Sequence, residues 1–257
     1  MHKIKFKFNK DNFSDFVEKL KDLTTIDGSI KLKIDEEHIL MYSTLGGSIM
    51  LAFKSYLINT SEYIETSKDF EYSYDLVIPN TTKFVKNLEF IKDEEKINLN
   101  LTCKESSEDD TLMIARGIQV TGGKLKVNWV GGENYEVRDI NKNILRQRLN
   151  VDNRKWHFTL TNSQFSDVKK LSSINSGKII NINVNSGKVI LSEESAWELE
   201  IGEIETQSGS LIFNKRFFKC INDREEIVFS MFDSFILIKD ENSDIMLSYE
   251  QDFEMDD

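Results

Sequence analysis

The segment FSDFVEKLKDLTTIDGSIKLKIDEEHILMYS, opening at Phe13-Ser14-Asp15, has a second copy later in the chain, FSDVKKLSSINSGKIININVNSGKVILSEES, opening at Phe165-Ser166-Asp167. Each copy passes from a short amphipathic stretch to a glycine turn, Gly28 or Gly177, and then to an alternating strand (Ile30, Leu32, Ile34; Ile180, Ile182, Val184). A second strand follows in both, Ile39 to Met41 and Val189 to Leu191. The downstream halves also correspond. Lys83-Phe84-Val85-Lys86 matches Arg216-Phe217-Phe218-Lys219, and each leads through an acidic turn to Ile97/Leu99/Leu101 or Ile227/Phe229/Met231. One helix-and-strand domain is therefore used twice, and the fold has to accommodate that repetition.

Period-two alternation predicts further strands at Lys3–Phe8, Ile49–Phe53, Tyr72–Ile78, Leu125–Trp129, Trp156–Leu160, Phe235–Ile238 and Ile245–Tyr249. Four helices fall at matching points. The first buries Phe13, Phe16, Val17, Leu20 and Leu23, with Asn12 as its cap. The second follows Pro79, with Asn80 or Thr81 as cap, and buries Phe84, Val85, Leu88 and Ile91. The third follows Thr161-Asn162 and carries Phe165, Val168, Leu171 and Ile174; the fourth follows Phe213 and turns Phe217, Phe218 and Ile221 inward. Helices this short are not stable alone and must lie against a sheet. The pattern predicts an α+β chain with an N-terminal domain over 1–135, a connector over 136–154 and a C-terminal domain over 155–257.

Composition narrows the function. The chain has no long apolar run that would span a membrane, and its N-terminus alternates like a strand instead of forming a signal-peptide core. Cys103 and Cys220 lie at non-equivalent positions in the two repeats, which suits reduced core thiols in a cytoplasmic protein. His2, His38 and His157 are isolated from one another and from cysteine, so no metal site is expected. Nucleotide-binding, nucleophile-elbow and zinc-protease motifs are missing. The expectation is a binding or scaffolding protein without cofactor, not an enzyme.

A net charge of -11 argues against a generic nucleic-acid binder, but the charge is unevenly placed. The helical windows 81–92, 162–174 and 214–222 carry +2, +1 and +3, while 10–23 carries -1. Together they hold +5, which leaves -16 on the remainder of the -11 chain. Positive helices on an acidic body suit a lining that attracts phosphates and an exterior that repels them.

On the doubled segments FSDFVEKLKDL and FSDVKKLSSIN with their hairpins, and the basic-aromatic helices KFVK and RFFK, the chain resembles the two-domain DNA sliding clamps, PCNA and the T-even-type phage processivity factor. The resemblance implies a duplicated clamp domain of two βαβββ units, with helices lining a central hole, outer antiparallel sheets and closure into a homotrimeric ring. It implies an accessory factor of viral DNA replication that encircles double-stranded DNA without sequence preference and tethers a DNA polymerase. An ATP-dependent clamp loader would place it there. The DNA-facing residues would be Lys83, Lys86, Lys169, Lys170, Lys215, Arg216 and Lys219, with Lys19 and Lys21 beside them. A hydrophobic pocket for partner peptides would draw on Tyr42, Leu45, Ile140, Ile144, Leu145, Met246 and Tyr249. The alternative is a structural protein whose duplicated β-rich domains assemble through sheet edges; it leaves the charge on the helices unexplained.

Overall fold

The computed structural model describes residues 2–45, 52–66, 70–139, 154–175, 177, 179–185, 187–193, 196–203, 209–222, 225–232, 235–239 and 243–248. The chain divides into two compact units, Met1–Leu45 with Lys54–Asp139 and Gly46–Phe53 with Ile140–Asp257. Unit 1 opens with β1 (His2–Phe8), α1 (Lys10–Leu23), β2 (Ile30–Ile34), β3 (His38–Leu45) and β4 (Ala52–Asn59). A one-turn helix, α2 (Thr60–Tyr63), and a short β5 (Glu65–Thr66) intervene. The same order then returns as β6 (Ser73–Ile78), α3 (Thr81–Leu88), β7 (Ile97–Glu105), β8 (Leu112–Gly122) and β9 (Leu125–Val130).

Unit 2 runs β10 (Trp156–Thr161), α4 (Asn162–Ile174), β11 (Ile179–Asn185), β12 (Lys188–Glu193) and β13 (Trp197–Glu203). Its second half is β14 (Gly209–Asn214), a 3₁₀ turn (Lys215–Cys220), β15 (Glu226–Met231), β16 (Phe235–Lys239) and β17 (Ser243–Ser248). Each unit is thus a βαβββ segment used twice, with the second helix of unit 2 tightened to 3₁₀.

Pairing inside a unit is reciprocal. In unit 1 the first strand of each copy joins the sheet of the other: β1 pairs with β7, and β6 pairs with β2, both antiparallel. The sheets are β6-β2-β3-β4 and β1-β7-β8-β9, linked by a short parallel pairing of β6 with β8. Unit 2 repeats the exchange, since β10 pairs with β15 and β14 pairs with β11. Its sheets are β14-β11-β12-β13 and β10-β15-β16-β17.

Alternation builds the unit 1 core. Ile4, Phe6 and Phe8 of β1 and Ile97, Leu99 and Leu101 of β7 face inward onto Phe13, Phe16, Val17 and Leu20 of α1 and onto Phe84, Val85 and Leu88 of α3. Fully burying one such side chain contributes about 1.5–3 kcal/mol, which a helix of two to four turns needs to hold its place. In unit 2, Phe165 and Val168 of α4 are fully buried, and Phe158 stacks on Phe229 at 4.9 Å. Cys103 and Cys220 are buried free thiols, and burial pushes the Cys103 thiol up to about 11.

Several elements differ from the sequence reading. The period-two pattern predicts no strand between Leu101 and Leu125, yet β8 runs for 11 residues inside that interval. Its register jumps, with Thr102 opposite Gly117 and Cys103 opposite Ala115, so Arg116 is an extra residue in a bulge. Buried positions therefore shift from Met113 and Ala115 to Ile118 and Val120, and the alternation breaks in mid-strand. Helix α1 begins earlier than expected, because the Asn9 side chain accepts from the Asn12 amide at 2.8 Å. Asn12 instead donates its side-chain amide to the carbonyls of Glu62 and Tyr63, tying α1 to α2. Ile174, read as part of the inward face of α4, is 79% exposed at the helix end. Among the described residues no helix is long and apolar enough to cross a membrane.

Candidate nucleic-acid interface

Helix α3 shows how the chain separates its basic side chains from its core. Asn80 adopts a left-handed conformation at φ 52, and Thr81 then closes the helix start by donating its hydroxyl to the Ile78 carbonyl at 2.7 Å. Phe84 packs against the Trp129 ring at 5.3 Å, and the Trp129 indole donates to the Pro79 carbonyl at 3.0 Å. With Phe84, Val85 and Leu88 inward, Lys83 and Lys86 are left on the solvent face. No described carboxylate lies within 4.0 Å of either. Phe90, just beyond the end of the helix, is 77% exposed.

The other predicted cations are engaged to different degrees. Lys21 is exposed and 4.0 Å from Glu89, a weak surface pair. Lys19 is mostly covered: it pairs with Asp15 and lies 5.6 Å from the Tyr56 ring centroid. Asp15 also accepts from the Tyr63 hydroxyl at 2.7 Å, and burial together with that carboxylate holds the Tyr63 phenol far above its ordinary pKa. In α4 the Thr161–Gln164 capping box sets the helix start. Lys170 is exposed, 3.8 Å from Asp167. Lys169 turns back over the Phe165 ring at 4.4 Å and donates to the Ile221 carbonyl at 3.1 Å.

Lys215 occupies a structural position. Its ammonium donates to the carbonyls of Ser172 and Asn175 at 2.8 and 2.7 Å and to Glu193 at 2.9 Å. It is 19% exposed and Glu193 is 1% exposed; the second carboxylate oxygen of Glu193 accepts from the Trp197 indole at 3.0 Å. The lysine satisfies carbonyls at the end of α4 and neutralises a buried carboxylate. Arg216 and Lys219 lie on the 3₁₀ turn, but their side chains fall outside the described ones.

Tyr42, of the predicted peptide-pocket residues, meets a partly buried charge cluster that the sequence reading missed. The Tyr42 hydroxyl donates to Asp139 at 2.9 Å, and Asp139 also takes Lys33 at 2.6 Å and Lys31 at 3.5 Å. Lys31 is almost fully buried and 3.0 Å from the equally buried Asp75. Burial alone would raise the Asp139 pKa. The Lys33 hydrogen bond, the charges of Lys31 and Lys33 and the Tyr42 hydroxyl outweigh it and hold the carboxyl below its ordinary range. This cluster fixes the stretch around Val137 to Asp139 on the outer side of β2, β3 and β6. A buried lysine in IKLKI was visible as a polar residue in a strand, but its partner Asp139 lies far along the chain. Leu45 is partly buried and Met246 is buried; Ile140, Ile144, Leu145 and Tyr249 lie outside the described residues.

No protein-family profile matches the chain, and no curated protein sequence matches it. Solved structures do. The DNA polymerase sliding clamp of Bacillus subtilis superposes with a TM-score of 0.68 at 10% identity, covering 97% of this chain and 65% of that one. The DNA polymerase III beta chain of Streptococcus pneumoniae gives 0.66 at 11% identity, over 96% of this chain; the chain spans 65% of that protein's length. Proliferating cellular nuclear antigen from Entamoeba histolytica gives 0.64 at 14% identity, covering 96% of this chain and 99% of that one. Identities this low speak for the fold alone, and the superpositions extend over nearly the whole of this chain. The chain has the fold of the DNA sliding clamps.

Proposed function

We propose that the chain is a subunit of a sliding clamp, a ring of three copies that encircles duplex DNA and keeps a replicative polymerase on its template. The observation that carries this reading is the clamp fold in which α3 and α4 hold their apolar residues against the sheets and offer Lys83, Lys86 and Lys170 to solvent. Such lysines meet phosphates without reading bases and exchange them readily, which permits sliding. The fold likeness favours this role over that of a structural assembly protein.

Closure would use the sheet ends. β9 pairs only with β8 among the described residues, and β13 ends the sheet β14-β11-β12-β13. An unpaired edge is a template for another chain, and joining two different edges head to tail closes a ring when the rotation fits. Leu125 and the 76% exposed Val130 add apolar surface to the β9 edge. An ATP-dependent loader would open and place the ring, and polymerase and loader would bind by short peptides near Tyr42, Leu45 and the connector. The connector stretch 136–154 would then join two clamp domains, in a chain working in the cytoplasm.

The test is retention on DNA. After loading onto nicked circular DNA, wild-type protein should stay bound in moderate salt and run off once the circle is cut. Lys83→Glu with Lys86→Glu and Lys170→Glu should shorten retention on the circle and weaken polymerase processivity, with the thermal midpoint unchanged. Equal retention by the triple variant would remove these helices from the DNA path.

A further inference from the structure

The sheet β1-β7-β8-β9 of unit 1 has an outer face whose residues are set by cross-strand register. One row joins Lys7, Asn98, Thr121 and Lys126. The next joins Lys5, Asn100, Gln119 and Asn128, and the third joins Lys3, Thr102, Gly117 and Val130. Their strand neighbours Ile4, Phe6, Phe8, Leu99, Ile118 and Val120 are buried in the core, so the alternation turns the rows outward. These three rows hold four lysines, and the carboxylate in register with them is Glu65 of the short β5, opposite Lys7, in a chain with 44 acidic residues against 33 basic ones. No described carboxylate comes within 4.0 Å of Lys3, Lys5, Lys7 or Lys126.

The face is also grooved. Two adjoining hollows of about 640 and 470 Å³ share Lys5. Lys7, Lys96 and Asn98 line the first, and Lys3, Asn100, Gln119 and Asn128 line the second. The first hollow also holds Glu62 of α2, Glu65 opposite Lys7 and Glu95 next to Lys96, and the second holds no carboxylate. A polar groove with cations through both hollows and acids in the first alone favours an anionic ligand and limits where it stops.

We propose that this groove binds an acidic peptide segment of a partner protein in extended conformation, its alternate carboxylates meeting Lys3, Lys5 and Lys7. Side chains two residues apart on a strand stand about 6.6–6.8 Å apart, and an extended peptide laid along β1 has the same period. Phosphates of a duplex strand wind around the helix axis, so a run of them curves away from a straight row of lysines. None of the residues in the three outward rows is aromatic, so no ring stands among these lysines for a single-stranded base to stack on. Asn100, Gln119 and Asn128 supply donors and acceptors for a peptide backbone, and Gln119 already holds Asn128 at 3.1 Å.

The experiment uses the full chain and a fluorescein-labelled ten-residue peptide of alternating Asp and Ser, read by anisotropy at low salt. The expected result is saturable binding that added salt weakens, that the same peptide with Asn for Asp does not show, and that K3Q/K5Q/K7Q weakens by about tenfold or more. The Lys→Arg triple should keep binding, and the circular dichroism and thermal midpoint of both triples should match wild type, since none of the three side chains enters the core. The proposal is overturned by no saturable binding, by equal binding of the Asn peptide, or by unchanged binding to the Gln triple. It is also overturned if a single-stranded ten-nucleotide DNA binds more tightly than the peptide and loses that affinity in the same triple. None of these readouts requires a ring or DNA loading, so failure here and failure of the clamp reading are separable.

Discussion

Lys215 reaches Glu193 and the carbonyls of Ser172 and Asn175 from within KRFFK, where in sequence it is indistinguishable from its cationic neighbours. Removing it leaves a carboxylate buried without a counter-charge. Lys215→Met should therefore lower unfolding free energy by about 3–5 kcal/mol in urea titrations, while Lys83→Glu with Lys86→Glu should stay within about 0.5 kcal/mol per site. Asp139 offers a pH test. Its folded-state pKa is lowered, so its contribution is complete above the unfolded value near 4 and disappears as pH falls through the folded value. The urea midpoints of wild type and Asp139→Asn should be clearly apart at pH 6 and draw together as pH falls from about 4 through the lowered folded value. Both residues act through partners distant in sequence, Glu193 and Ser172 in one case, Lys31, Lys33 and Tyr42 in the other. That distance is why the sequence named Lys215 as DNA-facing and did not name Asp139 at all.

Helix starts and strand registers carry the next level. Asn9→Ala should cost about 1 kcal/mol, the ordinary value of an N-cap, because it removes the acceptor for the Asn12 amide. Asn12→Ala keeps that backbone amide and loses only the ties to Glu62 and Tyr63, so its cost, about 1 kcal/mol at most, should vanish in a variant where α2 is already unfolded. Guanidine or urea titration of both single variants checks this. The elements themselves were legible wherever local patterning was uninterrupted. Phe13, Phe16 and Val17 marked α1, Thr161 and Asn162 marked the start of α4, and Ile97, Leu99 and Leu101 marked β7. β8 was hidden because the bulge at Arg116 moves its buried positions by one residue. The last helix was read one size too large: only six residues separate β14 from the turn at Ile221, and that span closes as 3₁₀.

At the scale of the whole molecule, the doubled FSD segments were enough to predict a helix-and-strand domain used twice, and the clamp resemblance implied its βαβββ units, but neither told which strand of one copy pairs with which strand of the other. Register between distant strands is set by packing that no local pattern encodes. Assembly has a direct measurement. Light scattering over a concentration series should find a species near three times the 29.9 kDa chain, dissociating on dilution. Val130→Asp should move the average mass toward that of the single chain while leaving the thermal melt of the monomer unchanged, and a wild-type protein that stays monomeric at high concentration would exclude the ring.

The strand exchange within each unit has a further consequence, one of ancestry. β1 pairs along its length with β7 of the other copy and β6 with β2 of the other copy, while β6 meets its own copy only through the short parallel pairing with β8. A lone βαβββ segment would leave its first strand without a sheet, and the natural remedy would be a second identical segment offering the same exchange back. Each unit has the form of such a swapped pair, two interlocked chains fused end to end by a linker. On this reading the mutual dependence of the halves predates the fusion, and neither could later be lost without unfolding the other.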